Sequence, residues 1–212
     1  RGGALHRDWL MLVSPRGPGN YTAPTGPLFP SNDTTVTRMY NHPPFRRAYF
    51  RAVQAAVNHA FVPSKYEPLM DAKHASLVAN GITLCDGQAL AAPTAVKTWF
   101  SQRRGYLVTQ LNTVAANFAI TSNGGNDLTV NTNLVFLTGT APVEVESIRV
   151  NGAEYPVTWT SVTGWTLPVL LTNGLNALSL QAYDADGTPL AALTNTINVN
   201  TPTTPEAPAG RV

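Results

Sequence analysis

Carboxylates that could bind a divalent cation are the first candidates for chemistry in this sequence. Asp8 stands in the segment His6-Arg7-Asp8-Trp9, where it could serve as a ligand for Mg²⁺. A lone carboxylate holds Mg²⁺ only together with further oxygen ligands or with phosphates. Asp8 is therefore a weak candidate for a metal or catalytic residue.

Asp184 and Asp186 form a second pair of carboxylates, spaced two residues apart as in calcium-binding loops. The other ligands of such a loop, including its closing Glu, are missing from the sequence that follows. The same residues, followed by Gly187, are typical of a hairpin turn. We expect a turn here and keep both aspartates as weak metal candidates.

Other reactive residues lack the partners that their chemistry needs. His42, His59 and His74 are spaced too irregularly for a helical metal pair. The serines lack both a G-x-S-x-G elbow and a paired base, which argues against serine hydrolysis. Cys85, the only cysteine, has no basic neighbour in sequence and cannot form an intrachain disulfide.

Tryptophans of the C-terminal half could stack against a ligand. Trp159 and Trp165, with nearby Tyr155 and Tyr183, could form a carbohydrate-stacking platform. Large aromatic side chains also dominate the interiors of β-sandwiches. The core interpretation is favoured, and Trp159 and Trp165 remain candidates for ligand stacking.

The composition favours an exported protein that has no membrane span and binds no nucleic acid. Only 12% of the 212 residues are charged, against about 25% in typical soluble domains. Residues 1–116 carry 12 Lys/Arg and 5 Asp/Glu, but the arginines are spread along helices and match no nucleic-acid motif. No window approaches the ~20 apolar residues of a membrane span. We expect an extracellular or cell-surface location.

The stretch from Phe118 to Asn200 predicts an all-β sandwich of immunoglobulin-like type. Apolar residues recur at every second position, the period of half-buried strands. Turns are indicated at Asn123-Gly124-Gly125, at Gly139–Pro142, and in hairpin loops at three further pairs, Asn151-Gly152, Asn173-Gly174 and Asp186-Gly187.

The preceding residues predict a helical subdomain, so the fold class is α+β. Three helices are expected in residues 38–117: Thr37–Phe61, Ser64–Asn80 and Thr94–Asn117. On the first helix, Phe45, Tyr49, Val53, Ala56 and Ala60 form the predicted apolar stripe, with the arginines largely off it. Residues 1–37 are interpreted as an irregular segment left from an upstream domain, and residues 201–212 as a Pro/Thr linker.

Residues 38–200 resemble the C-terminal portion of the spore-coat-protein-H (CotH) kinase family. The resemblance lies in the helical segments NHPPFRRAYFRAVQAAVNHAF, KYEPLMDA and VKTWFSQRRGYLVTQL, followed by the strand FAIT. Bacterial members of that family often continue into a small β-domain. The sequence of that domain is similar to the segment GTAPVEVESIRVNGAEYPVTWTSVTGWTLPVLLTNGLNALSLQAYDADG of this chain.

The resemblance implies a secreted or surface-located atypical kinase that uses Mg²⁺ and ATP. In the family, the nucleotide-binding lysine and metal-binding aspartates precede the helices matched here. The only counterpart in this chain is Asp8, where the family has an Asp-x-Asp segment. The chain would then hold at most the edge of an active site.

Three functional hypotheses follow from these observations. The first is a non-catalytic C-terminal region of a large exported CotH-kinase-like protein, with the sandwich as spacer or adhesion module. The second is part of an ATP/Mg-dependent kinase whose active site lies mostly upstream. The third is a carbohydrate-binding or cell-surface assembly module. Expected partners are the upstream domain and, through β-edges, other copies or surface proteins.

Overall fold

A computed structural model describes residues 23–29, 33–85 and 88–202 of the chain. It confirms the α+β class, with helices preceding a β-sandwich. The residues divide into two compact units. The helical unit contains the described residues up to Thr37 together with Ala52–Thr113, and the sandwich unit contains Arg38–Arg51 and the described residues from Val114 onward.

Four helices are present in the described part of the chain: α1 (Thr34–Asn41), α2 (Pro43–Asn58), α3 (Pro63–Ala79) and α4 (Thr94–Asn112). Asp33 caps α1, since its carboxylate accepts hydrogen bonds from the amides of Thr35 at 2.7 Å and Val36 at 3.1 Å. The single helix predicted over Thr37–Phe61 was wrong. It is interrupted at His42, because Pro43 and Pro44 cannot donate the N–H groups that a continuous helix needs.

The helical unit is held by aromatic contacts and by one buried arginine. The ring of Phe100 lies 5.2 Å from that of Phe61 and 5.0 Å from that of Tyr66. Arg103 of α4 donates hydrogen bonds to the carbonyls of Pro24 at 3.0 Å and Gly26 at 2.6 Å. None of the helices in the described residues combines the length and hydrophobicity needed to cross a bilayer.

The end of α3 shows how the sequence terminates a helix. Gly81 has φ +73°, and its amide bonds to the carbonyl of Val78, while the amide of Ile82 returns to the carbonyl of Leu77. This left-handed glycine cap confirms the predicted stop. A two-stranded ribbon follows, formed by β1 (Leu84–Cys85) and β2 (Gln88–Ala89).

Two sheets, antiparallel except for one strand pair, build the sandwich. Its strands are β3 (Ala119–Ile120), β4 (Leu128–Thr129), β5 (Leu134–Thr140), β6 (Ser147–Val150), β7 (Ala153–Glu154), β8 (Thr158–Trp159), β9 (Gly164–Leu170), β10 (Gly174–Tyr183) and β11 (Pro189–Thr201). One sheet has the order β3-β5-β9-β8 and the other β4-β11-β10-β6-β7. Strand β3 belongs to the first of these sheets and β4 to the second, where β4 runs parallel to β11. This arrangement is immunoglobulin-like.

The core lies between the two sheets, as the alternation predicts. Strand β5 points Val135 and Leu137 inward, β9 contributes Leu167 and Val169, and β10 contributes Leu180, all 7% exposed or less. The turn predicted at Gly139–Pro142 was wrong in position, because Gly139 lies within β5, which continues to Thr140, and the turn follows at residues 143–144. A Cβ at Gly139 would collide with the Trp165 ring and the Ala119 carbonyl. The glycine therefore serves packing and not a turn.

Two of the three predicted hairpin pairs form hairpins. Asn151 and Gly152, with φ +50° and +83°, join β6 to β7, and Asp186-Gly187 lies in the β10–β11 hairpin. The prediction for Asn173-Gly174 was wrong, because this pair connects β9 and β10, which belong to different sheets.

Candidate functional site

The most specific polar arrangement in the sandwich unit surrounds Arg47 of α2, whose side chain is completely buried. Its Nη1 donates to the Val162 carbonyl at 2.5 Å and to the Ala141 carbonyl at 3.5 Å. Its Nη2 donates to the carbonyls of Pro142 and Val145, both at 2.5 Å. We call this set of four carbonyls the Arg47 clamp.

An aromatic ring and a second arginine complete the surroundings of the clamp. The guanidinium carbon of Arg47 lies 3.4 Å from the centre of the Trp159 ring, a cation–π contact. One turn further along α2, Arg51 forms an ion pair with Glu146. Glu146 also donates its amide to the Tyr183 carbonyl at 2.7 Å. The first part of α2 is thus bonded to the loops next to β5, β6 and β9.

Burial, and then the nearby charge of Arg51, lower the pKa of Arg47 to about 9. A pKa below the ordinary value means that removal from water opposes the charged form in the folded protein. The carbonyl dipoles and the Trp159 ring act in the opposite direction, since each presents partial negative charge to the cation. The clamp therefore has the chemistry of a structural anchor, in which both terminal nitrogens of Arg47 donate to protein carbonyls, while its Nε has no hydrogen-bond partner among the described residues.

Trp159 and Trp165 lie together but do not form a ligand platform. They are cross-strand partners on β8 and β9. Trp165 is only 1% exposed and stacks on Phe118, with ring centres 6.4 Å apart. A surface ligand cannot reach Trp165, so the stacking role suggested for it was wrong. Trp159 is half-buried and lies against Arg47.

Of the three carboxylates considered as metal ligands, Asp184 and Asp186 lie in the described part of the chain, at the turn between β10 and β11. The Asp184 side chain accepts hydrogen bonds from the amides of Asp186 at 3.0 Å and Thr188 at 2.8 Å, so it organises the turn. Among the described residues, no three His, Cys, Asp or Glu side chains are grouped to hold a metal ion. Asp8 lies outside the described residues.

A shallow depression of about 140 Å³ lies on the outer side of β10 and β11. Asp127 at its rim accepts hydrogen bonds from the backbone amide and the side-chain amide of Asn198, both at 2.9 Å. These bonds, the side-chain bond first, lower the pKa of Asp127. Ser179 and Thr196 add hydroxyl groups to the lining, beside the apolar Leu178 and Ile197.

The outer surface of the four-stranded sheet carries exposed apolar side chains. Phe136 is 62% exposed, Leu170 68% and Leu134 39%, and Pro168 lies beside them half-buried. In the antiparallel register, Leu134 lies opposite Leu170 and Phe136 opposite Pro168. We call these four residues the apolar face. Sequence analysis missed it, although the inward alternation of Val135 and Leu137 requires Phe136 to point outward.

Sequence analysis also missed the burial of Arg47. The predicted stripe followed Phe45, which is 58% exposed. The buried side of α2 runs instead through Arg47, Phe50, Val53 and Val57, again at spacings of three to four. The signal was present, because extending the Phe50–Val53–Val57 spacing backward by three residues reaches Arg47.

Comparisons with known proteins give no family. No protein-family model matches the chain, and no curated protein matches it. Among solved structures, the chain is similar to fibronectin(III)-like modules of Clostridium thermocellum CbhA, with 15% identity, a TM-score of 0.30, and coverage of 40% of this chain and 95% of that one.

Two endo-fucoidan hydrolases of glycoside hydrolase family 107, MfFcnA4 and MfFcnA9, also match. Each shows 12% identity and a TM-score of 0.26 over 57% of this chain. The matches span 18% and 22% of the two hydrolase chains.

Proposed function

We propose that this chain is the non-catalytic C-terminal structural and interaction region of a larger exported protein similar to the CotH kinase family. In this proposal the helices brace an upstream kinase-like lobe, and the sandwich serves as a spacer or adhesion module. The resemblance of the helical segments supports the first part. The geometry of the sandwich supports the second part and carries the proposal.

The chain enters and leaves the sandwich at opposite ends. Ala119, the first residue of β3, pairs with Thr140 at the end of β5. Thr140 also pairs with Gly164, the first residue of β9, so these residues mark one end of the sandwich. Thr201 of β11 pairs with Gly174, and its hydroxyl donates to the Thr172 carbonyl at 3.1 Å. The seven residues of β5 separate the two ends by about 20 Å. A module with this geometry transmits a pull along its strands, as a spacer in a series of domains must.

Chemically versatile residues of the sandwich are used to hold it together. Arg47 is bonded to four carbonyls, and Trp159 packs against it. Trp165 lies in the core. This internal use is typical of a domain selected for stability, in which strong contacts join distant parts of the chain.

Exposed apolar side chains on the helical unit support its bracing role. Leu69 is 65% exposed and Leu77 43%, and both lie on one side of α3 at a spacing of two turns. Val78 at 55% and Val96 at 50% are further exposed apolar side chains of the helical unit. Exposed apolar groups in such numbers mark surfaces that a further domain covers.

A longer chain that includes the upstream lobe tests the bracing role. We expect Leu69→Gln with Leu77→Gln to lower the melting temperature of the longer chain by several degrees and to leave the present chain almost unchanged. Leu175→Gln is the matched control, because Leu175 is 70% exposed on the sandwich. Equal effects of the two variants in the longer chain would contradict the proposal.

A second function, that of an ATP- and Mg²⁺-dependent kinase completed by the upstream lobe, rests on the resemblance around Asp8. It predicts that Mg²⁺ and ATP raise the melting temperature of the longer chain, since a ligand that binds the folded state stabilises it. Asp8→Ala should abolish that rise. A longer chain whose melting temperature is unchanged by nucleotide at millimolar concentration would exclude this function.

The proposed extracellular or cell-surface location is supported by the low content of charged residues. Protease treatment of intact cells provides the test. An exported chain is cleaved under these conditions, whereas an internal marker protein is not. Protection of the chain until the cells are lysed would contradict the proposed location.

A further inference from the structure

We infer that the apolar face is a homotypic interface, through which the sandwich associates weakly with the same face of a second copy. The relevant surface consists of Leu134 and Phe136 on β5 and Pro168 and Leu170 on β9. This contact uses the face of the sheet and therefore differs from pairing through β-edges. It follows from the sandwich alone and does not depend on the proposed role in a kinase-like protein.

The composition of the sheet makes this surface complementary to itself. Strands β3, β5, β8 and β9 contain no Asp, Glu, Lys or Arg within their bounds. The outward positions next to the four apolar residues are Thr138 and Thr166. In a two-fold dimer the same patch meets itself, so any charge on it would face a like charge. An uncharged face avoids that repulsion.

The register places the apolar residues as a continuous block. Directly opposite residues of antiparallel strands lie about 5 Å apart, so the pairs Leu134–Leu170 and Phe136–Pro168 are neighbours. Their exposed aliphatic and aromatic surface suits another apolar protein surface. A sugar ring would use the aromatic ring of Phe136 but would gain little from the leucines.

Edges of the sandwich are less suited to association than its face. The outermost strands β3, β4, β7 and β8 have two residues each, and short edge strands oppose strand addition. Side chains also occupy edge positions. Asn151 accepts from the Ser179 amide at 2.8 Å and donates to the Ala177 carbonyl at 3.0 Å, and Ser122 accepts from the Thr138 amide at 2.7 Å.

The size of the face predicts a weak complex. The two seven-residue strands that carry the face, β5 and β9, cover roughly 20 Å by 10 Å, so two copies would bury about 400 Å² in total. Stable interfaces usually bury at least about 1,200 Å². We therefore expect a dissociation constant in the high micromolar to millimolar range, which matters where many copies are held close together.

Sedimentation velocity of the whole chain, from 10 µM to 1 mM, tests the inference. We expect concentration-dependent dimerisation in the unmodified chain. Phe136→Glu and Leu170→Glu should each raise the dissociation constant at least tenfold. Leu175→Glu is the matched control, because Leu175 is equally exposed but lies on the other sheet, and it should change the constant less than twofold.

Three outcomes would overturn the inference. The first is a chain that remains monomeric up to 1 mM. The second is dimerisation that Phe136→Glu and Leu170→Glu leave unchanged in samples whose near-UV circular dichroism shows a native fold. The third is a monomer that binds insoluble polysaccharide in a Phe136-dependent way, which would assign the face to carbohydrate. If either charged variant fails to fold, Phe136→Ser replaces it and should weaken dimerisation in the same direction.

Discussion

The two units of this chain bury their apolar side chains to very different extents. In the sandwich, 17 buried residues form a single cluster that both sheets share. In the helical unit, the buried side chains are few, and Leu69, Val78 and Val96 are half exposed or more. The sandwich therefore buries its apolar side chains in one core, whereas the helices leave several large apolar side chains exposed to solvent.

Both units nevertheless use a buried arginine in the same way. Arg47 in the sandwich unit and Arg103 in the helical unit each donate to backbone carbonyls of loops far away in sequence. Arginine suits this purpose because its planar guanidinium offers five donors in a fixed geometry. The comparison shows that a buried arginine bonded to backbone carbonyls can stabilise both a well-packed unit and a sparsely packed one.

The largest expected effect compares two tryptophans. Trp165→Ala should destabilise the sandwich by about 3–5 kcal/mol, because a buried ring is replaced by a cavity. Trp99→Ala, at a half-buried position of α4, should cost less than about 2 kcal/mol. Hydrogen exchange of amides in β5 and β9 measures the loss of stability caused by Trp165→Ala. Exchange of amides in α4 measures the loss caused by Trp99→Ala. Similar losses in the two units would remove the contrast between them.

Removal of the clamped charge should have the next largest effect. Arg47→Met is expected to destabilise the sandwich unit by about 2–4 kcal/mol, because it leaves buried carbonyls without donors. Arg46→Met, on the neighbouring and less buried side chain, should cost less than about 1 kcal/mol. Urea unfolding followed by tryptophan fluorescence measures both. An Arg47→Met protein as stable as the unmodified chain would show that the clamp contributes little.

Glycine-to-alanine substitutions should have opposite signs in the two units. Gly139→Ala in β5 places a methyl group against the Trp165 ring and the Ala119 carbonyl and should cost about 1–3 kcal/mol. Gly105→Ala in α4 meets nothing within 4 Å and should stabilise that helix by about 0.5–1 kcal/mol. Thermal unfolding of the two variants checks the signs. A stabilising Gly139→Ala would contradict the packing described for Trp165.

The smallest expected effect depends on pH. The pKa of Asp127 lies below the ordinary 3.8 in the folded chain because Asn198 donates to the carboxylate. The stabilisation is therefore complete above the ordinary value and is lost as the pH falls through the folded pKa. Asp127→Asn should make the sandwich less stable at pH 7. At pH 2.5 the difference in stability between this variant and the unmodified chain should be smaller. An unchanged difference in urea midpoint at the two pH values would contradict this assignment.

Local patterns of the sequence predicted much of the sandwich. Alternation predicted the β-sandwich over residues 118–200, and the pair Asn151-Gly152 identified a hairpin with positive φ at both residues. These signals succeed because strand period and turn geometry are properties of neighbouring residues. The glycine signal failed at Gly139, because its role is set by a ring on the adjacent strand.

Long-range pairings could not be predicted in the same way. Hydrophobicity alone placed Arg47 outside the buried side of α2, since the acceptors that make its burial possible belong to loops more than 90 residues later. Similarly, Asn173-Gly174 has the residue types of a hairpin turn but connects strands that belong to different sheets. Only the pairing of strands in space distinguishes these cases, and one sequence does not contain that information in local form.

The Arg47 clamp also sets an order of events during synthesis. The guanidinium is made 94 residues before the Ala141 carbonyl and 115 residues before the Val162 carbonyl. At about 5–20 residues per second, roughly 6–23 s pass between the synthesis of Arg47 and that of its last acceptor, Val162. During that interval Arg47 is hydrated and Phe50 lacks its final surroundings, so the buried side of this helix forms only after the sandwich loops have been made.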